Sequence, residues 1–291
     1  MKLAQDVLVG LFVVSLMWSV GLDLTLASIR AVFRAPRHLL GGLVAGYVVV
    51  PLTAAAMIIL LDLPTPVAAG LLLCAAAPGG PMGPLLVKGA GASLALSVSL
   101  LMCVNVINVL ATPATLGILG ASPGAGLLEE LLAMATTIIV FQVVPLTMGI
   151  VLSERRRAFA ARAAPWARRF ATLMLVGTVA VVSLSGNADL SVLGFEAFCA
   201  VLAVLVAAFV GGWLMAGGTR SERASVGLSN TIRSQSLSVL LASTRFPDPL
   251  TLLTVLLFST VMFPFGIAMA VVSRRMIGAP TPEVNDAHRT V

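Results

Sequence analysis

The chain has 291 residues, 59% of them hydrophobic and 10% charged. Soluble domains carry roughly 25% charged residues, so a water-exposed globule is excluded and a bilayer is the solvent that accepts this composition. A net charge of +6 would suggest nucleic acid in a soluble protein; here it is read as loop asymmetry around a membrane, with no nucleic-acid partner.

A membrane-spanning helix needs about 20 apolar residues. In chain order, nine spans are predicted, at about 6–27, 38–62, 66–89, 92–117, 127–152, 168–187, 192–216, 222–245 and 249–273. Pro36, Leu63-Pro64-Thr65-Pro66, Ser122-Pro123-Gly124 and Phe246-Pro247-Asp248-Pro249 punctuate four of the boundaries. The first run lacks a basic leader and a small-x-small cleavage site, so it is expected to be retained as a span. Of the 18 Lys and Arg residues, 15 fall on one side of a nine-span topology. They are Arg30, Arg34, Arg37, Lys88, the Arg155–Arg169 cluster, Arg220, Arg223, Arg274, Arg275 and Arg289. Only Lys2 and Arg245 fall on the other side. Positive charge marks the cytoplasmic face, which predicts a multi-pass protein of the cell (inner) membrane, with the N-terminus outside and the C-terminus inside. The Arg155–Arg169 cluster is read as a topology signal that also meets lipid headgroups. Residues 276–291 are expected to form a disordered cytoplasmic tail. Cys74, Cys103 and Cys199 lie in apolar stretches without metal-ligand spacing and are read as small buried hydrophobes. No cofactor is expected.

Two spans are not plain apolar helices. In the third, Pro78-Gly79-Gly80-Pro81-Met82-Gly83-Pro84 cannot hold a regular helix. In the eighth, Ser229-Asn230-Thr231-Ile232-Arg233-Ser234-Gln235-Ser236 is a polar run in an apolar segment. Unwound backbone at membrane depth must face protein or a wet cavity, and a mid-membrane charge is functional by default. Paired interruptions in two halves of a chain mark the binding site of many transporters. Arg233 is therefore the first candidate, as partner of an anionic substrate, because a guanidinium stays charged and pairs bidentately with carboxylate or sulfonate. Ser234, Gln235 and Ser236 could hydrogen-bond from the same break, as could Ser229, Asn230 and Thr231. Gly79, Gly80, Gly83 and Pro84 shape the opposite break. Ser97, Asn105 and Asn108 share one face of the fourth span and line either the core or the cavity. Gln142 is a lone amide, read as interhelical glue.

At these residues the chain resembles the bile acid:sodium symporter family. The resemblance runs through Met17-Trp18-Ser19-Val20-Gly21-Leu22-Asp23-Leu24, Arg34-Ala35-Pro36, Pro51-Leu52 and Gly70-Leu71-Leu72-Leu73. It continues through Pro78-Gly79-Gly80, Lys88-Gly89, Leu96-Ser97-Val98 and Thr112-Pro113. It implies an all-α fold of inverted repeats with two broken helices crossing in a core domain, and a separate panel domain. Several such proteins lack the first of ten helices, and this chain looks like one of them. The panel would comprise residues 1–35 and 125–190, and the core 36–124 and 191–275. The family's sodium-site positions fall on Gly83 and Pro84, on Ser97 and Leu101, and on Ser229 and Arg233-Ser234. A two-residue shift in the last segment would give Thr231, Gln235 and Ser236 instead. No carboxylate remains at any of them, and an arginine stands near its place, which would repel a sodium ion. Sodium coupling is therefore expected to be lost, with Arg233 acting as a tethered charge.

The expectation is a secondary active or facilitative transporter of a small organic anion, a monomer working by alternating access. The alternatives are a sodium-coupled symporter with ion sites built from backbone, or a receptor or regulatory protein on the same fold. An enzyme is not expected: no His-Glu-x-x-His motif, intramembrane aspartate pair or Ser/His dyad is present.

Overall fold

In a computed structural model of the chain, the described residues are 2–23, 36–119, 127–184, 193–246 and 248–277. Ser122-Pro123-Gly124, Leu24 to Ala35, Pro247 and the expected tail beyond Ile277 lie outside them. Taking each π turn as part of the helix it interrupts, the described residues form eleven helices. They are α1 (Lys2–Asp23), α2 (Pro36–Leu60), α3 (Thr65–Ala75), α4 (Gly83–Gly89) and α5 (Leu94–Ile118). In α6, Leu127–Ile138 and Val144–Arg155 flank the π turn Ile139–Val143. Then come α7 (Arg157–Leu184), α8 (Gly194–Ala216), α9 (Arg220–Thr231), α10 (Gln235–Arg245) and α11 (Pro249–Ile277).

By length and hydropathy alone, five helical stretches could each cross a bilayer: Pro36–Leu60, Leu94–Ile118, Leu132–Arg155, Gly194–Ala216 and Pro249–Ile277. Large apolar side chains remain exposed on their outer faces, Ile59 at 82% and Ile118 at 84% among them. Lipid tolerates such a surface and water does not, which makes this a multi-pass membrane protein. Helix α7 starts at Arg157, earlier than the span predicted from about 168, because Arg and Ala are good helix formers even outside an apolar run.

Proline sets the local geometry of two helices. The string Val-Val-Pro-Leu-Thr occurs at 49–53 in α2 and at 143–147 in α6. A π turn directly precedes each proline, over Ala45–Val49 and Ile139–Val143. The proline ring clashes with the carbonyl four residues back, and a wider turn relieves that clash.

Small residues decide the close packing. Helix α1 lies against α7 and the second half of α6. A Cβ on Gly149 would sit 2.8 Å from the Gly21 Cα, so only glycine lets α1 and α6 come this close. Ser19 Oγ donates to the Ala164 carbonyl of α7 at 3.0 Å. Elsewhere α8 packs on α9, with Gly212 against Gly227, and α11 packs on α3. The buried core around them includes Leu71, Leu73, Leu205, Phe258 and Met262.

Candidate functional site

The chain between α3 and α4 is not helical over Ala76–Met82, and α9 and α10 are separated by Ile232–Ser234. These two breaks meet backbone to backbone. Pro78 and Arg233 form an antiparallel bridge. Ser234 N donates to the Ala77 carbonyl at 2.8 Å, and Gly80 N to the Ile232 carbonyl at 3.0 Å. Glycine is required in this pairing. Gly79 has φ +90°, and a Cβ on Gly80 would strike the Arg233 carbonyl.

A buried helix end must find partners for its last carbonyls. Six consecutive carbonyls leave the end of α3, and all six are satisfied from elsewhere in the chain. Leu73 accepts from Ser238 Oγ at 3.2 Å. Cys74 accepts from Arg233 Nε at 3.0 Å, and Ala75 from Arg233 Nη2. Ala76 accepts from Thr112 Oγ1 at 2.9 Å, Ala77 from Ser234 N, and Pro78 from Asn108 Nδ2 at 3.0 Å. Proline accounts for part of this pattern, because Pro78 has no N–H to give Cys74.

The third carbonyl held by Arg233 has a similar origin. In the π turn of α2, Val50 N bonds to Ala45 O. The next donor in that register would be Pro51, which has none, so Gly46 O is left free. Arg233 Nη2 takes it at 3.2 Å. The Arg233 side chain is thus 1% exposed and forks onto the C-terminus of α3 and the π turn of α2. A cation is favoured there because the helix dipole concentrates negative charge at that end. Nη1 has no hydrogen-bond partner, and neither break carries an acidic residue.

The other expected residues divide between two cavities and the packing. A void of about 10 Å³ is lined by Gly79, Gly80, Gly83, Pro84, Ser97, Ser229 and Asn230, among others. The Ser97 and Ser229 hydroxyls bond to each other at 2.6 Å. Gly83 and Pro84, expected in the unwound stretch, instead open α4; proline suits a first turn, whose N–H groups have no helical partner anyway. The second cavity measures about 900 Å³ and is bordered by residues of both breaks, by Asp23 at the end of α1 and by Arg168 within α7. Arg233, Gln235, Ser236 and Pro84 border it. Gln235 Oε1 accepts from Ser259 Oγ at 2.6 Å, while Gln235 Nε2 meets only the Met262 sulfur at 3.6 Å, so its donors are weakly engaged.

Ser234, Thr231, Asn105 and Asn108 line neither cavity. Thr231 Oγ1 donates back to the Gly227 carbonyl. Asn105 Oδ1 accepts from Gln142 Nε2 at 2.7 Å, which ties α5 to α6. Asn108 Oδ1 accepts from Tyr47 at 2.5 Å and from Thr112 at 3.1 Å. From the sequence no site role is assigned to Tyr47, Ser238, Ser259 or Arg168, nor to Thr112 and Asp23, which appear only in the strings shared with the family. Tyr47 carried a signal, as the one tyrosine of the chain.

The family model described as the sodium bile acid symporter family matches residues 9–194, more than half of the chain. The chain is 29% identical over 93% of its length to the probable sodium/metabolite cotransporter BASS2, chloroplastic, of Oryza sativa subsp. japonica, covering 64% of that protein. It is 26% identical over 92% of its length to the probable sodium/metabolite cotransporter BASS1, chloroplastic, of Arabidopsis thaliana, covering 66% of it. The chain thus spans just under two thirds of the length of these relatives.

Proposed function

Because the chain belongs to the sodium bile acid symporter family, a family of symporters and not of enzymes, we propose that it is a nine-span carrier of small organic anions that works by alternating access without sodium coupling. In this reading the helices α1, α2, α5, α6, α7, α8 and α11 and the two broken pairs, α3 with α4 and α9 with α10, are the nine crossings. Helices α1, α6 and α7 form the panel, and the remaining helices form the core. The large cavity is lined by residues of both, with the half-exposed Arg168 and Asp23 among them; in this reading that end faces the cytoplasm. One chain holds both breaks, and the carrier works as a monomer in the cell membrane.

The observation that carries this reading is the Arg233 guanidinium on the Gly46, Cys74 and Ala75 carbonyls. A tethered cation there gathers the backbone oxygens that would otherwise attract a free one. It also gives the cavity a positive end without an ion having to bind first. A resident sodium ion does not fit the neighbouring positions. Hard cations take about six oxygen ligands, with carboxylates prominent among them. The small void offers the Ser97 and Ser229 hydroxyls, already paired to each other, and the Asn230 amide, but no carboxylate; Gly79, Gly83 and Pro84 bring no side-chain oxygen. Its volume is about that of a single water. The substrate is placed in the large cavity against Gln235 and Ser236, whose polar groups would orient it.

The relatives' names, sodium/metabolite cotransporters, and the two hydroxyls at the void favour a second reading, sodium coupling through backbone oxygens. Uptake of labelled keto acids and sulfonates into proteoliposomes separates the two. Equal rates in sodium and choline buffers are expected. Uptake that needs sodium supports the second reading, and uptake of no organic anion overturns both.

A further inference from the structure

The large cavity is bordered by two cations, and they are not equivalent. Arg233 is buried, with Nε and Nη2 already on carbonyls. Arg168 stands at the far end on α7, its side chain 49% exposed, with Nη2 on Asp23 Oδ2 of α1. The Asp23 side chain is 48% exposed. The rest of the lining is apolar apart from hydroxyls and the Gln235 amide. The neighbouring Arg169 lies over the Trp166 ring, 5.1 Å from its centroid, and does not border the cavity.

Resting on the reading of this cavity as an organic-anion site, we propose that Arg168 is the cation that captures the substrate's anionic group and that Asp23 is an internal carboxylate holding its place until substrate displaces it. Three observations carry this. The pair is open to the cavity. It is joined through a single guanidinium nitrogen, so the fork has another edge to offer. And a half-exposed ion pair contributes little stability, so an incoming carboxylate or sulfonate can compete with Asp23. The arrangement also selects. Asp23 cancels the arginine's charge toward small hydrated anions, whereas an organic anion adds burial of its apolar body against Phe12, Leu16, Val20 and Leu175. Arg168 binds substrate directly, and Asp23 is a positioning and competing residue.

The test uses the full-length protein and a set of aryl and alkyl carboxylates, 2-naphthoate among them, each paired with its neutral amide. Binding is read by equilibrium dialysis. Asp23→Asn unmasks Arg168 and should tighten carboxylate binding at least about fivefold, while Arg168→Gln should weaken it about tenfold or more, since a charged hydrogen bond is lost. The amides should not respond to either change. A pair that merely pins α1 to α7 would give losses of the same sign in both variants, for acids and amides alike, and that result overturns the proposal. So does an Asp23→Asn protein with no preference for carboxylate over amide. Carboxylate transport that stays at the wild-type rate in both variants removes the Arg168 assignment and leaves the carrier reading standing. Opposite-signed binding effects without transport remove the carrier reading and leave the assignment.

Discussion

Removing the Arg233 guanidinium leaves the carbonyls of Gly46 and Ala75 buried without donors and Cys74 with only the long bond from Ala77 N at 3.4 Å. Each such loss costs about 1–3 kcal/mol. Arg233→Ala is therefore expected to destabilise by about 3 kcal/mol or more, read as a fall in melting temperature of the detergent-purified protein. Arg233→Lys should recover part of that loss, because an ammonium keeps the charge but cannot span three carbonyls with a planar fork. An Arg233→Ala protein that melts like the wild type would remove the carbonyl-gathering role. Thr112→Val strands the Ala76 carbonyl in the same cluster and should cost about 1–3 kcal/mol by the same measurement.

At the scale of elements, the prolines and the arginine act on the same carbonyls. Pro51→Ala gives the π turn a donor for Gly46 O, so Arg233→Ala should cost less in that background. A double-mutant cycle is expected to show coupling of about 1 kcal/mol; additivity would mean that Pro51 does not free that carbonyl. Helix α9 begins with a capping box, Thr219 with Glu222, and Thr219→Ala should cost about 1 kcal/mol in thermal unfolding. Both interruptions were legible in the sequence, because proline, glycine and a buried arginine each violate the rules of an apolar helix. The direction of their side chains was not. Whether Arg233 turns toward a ligand or toward α2 and α3 depends on which carbonyls a π turn leaves free, and the register of that turn follows from tertiary packing. Asn105 likewise shares a helical face with Ser97 yet bonds to Gln142 on α6, since its face is split between two neighbours. Arg168 sits in an arginine-rich stretch whose charge already had an explanation in topology, which hid its position at the cavity.

At the scale of the molecule, the helices divide around a cavity of about 900 Å³, with a buried arginine at one end and a half-exposed ion pair at the other. The proposed orientation places the last turn of α11 in the cytoplasm. A cysteine at Arg275, in a background lacking Cys74, Cys103 and Cys199, should react with an impermeant maleimide in inside-out vesicles and not in intact cells; the reverse pattern would invert the topology.

If the Arg233 guanidinium stands where a mobile cation would otherwise be needed, sodium is dispensable for binding. This is tested by the melting temperature of the purified protein in sodium chloride and in choline chloride, with and without organic anions, for the wild type and for Arg233→Ala. A ligand that binds only the folded state raises stability by about 2.7 kcal/mol at a hundredfold excess over its dissociation constant. An organic anion is expected to raise the wild-type melting temperature equally in both salts, and Arg233→Ala to lose this response. A wild-type protein that sodium itself stabilises, and that binds the anion only with sodium present, would mean that the ion and not the guanidinium fills this role.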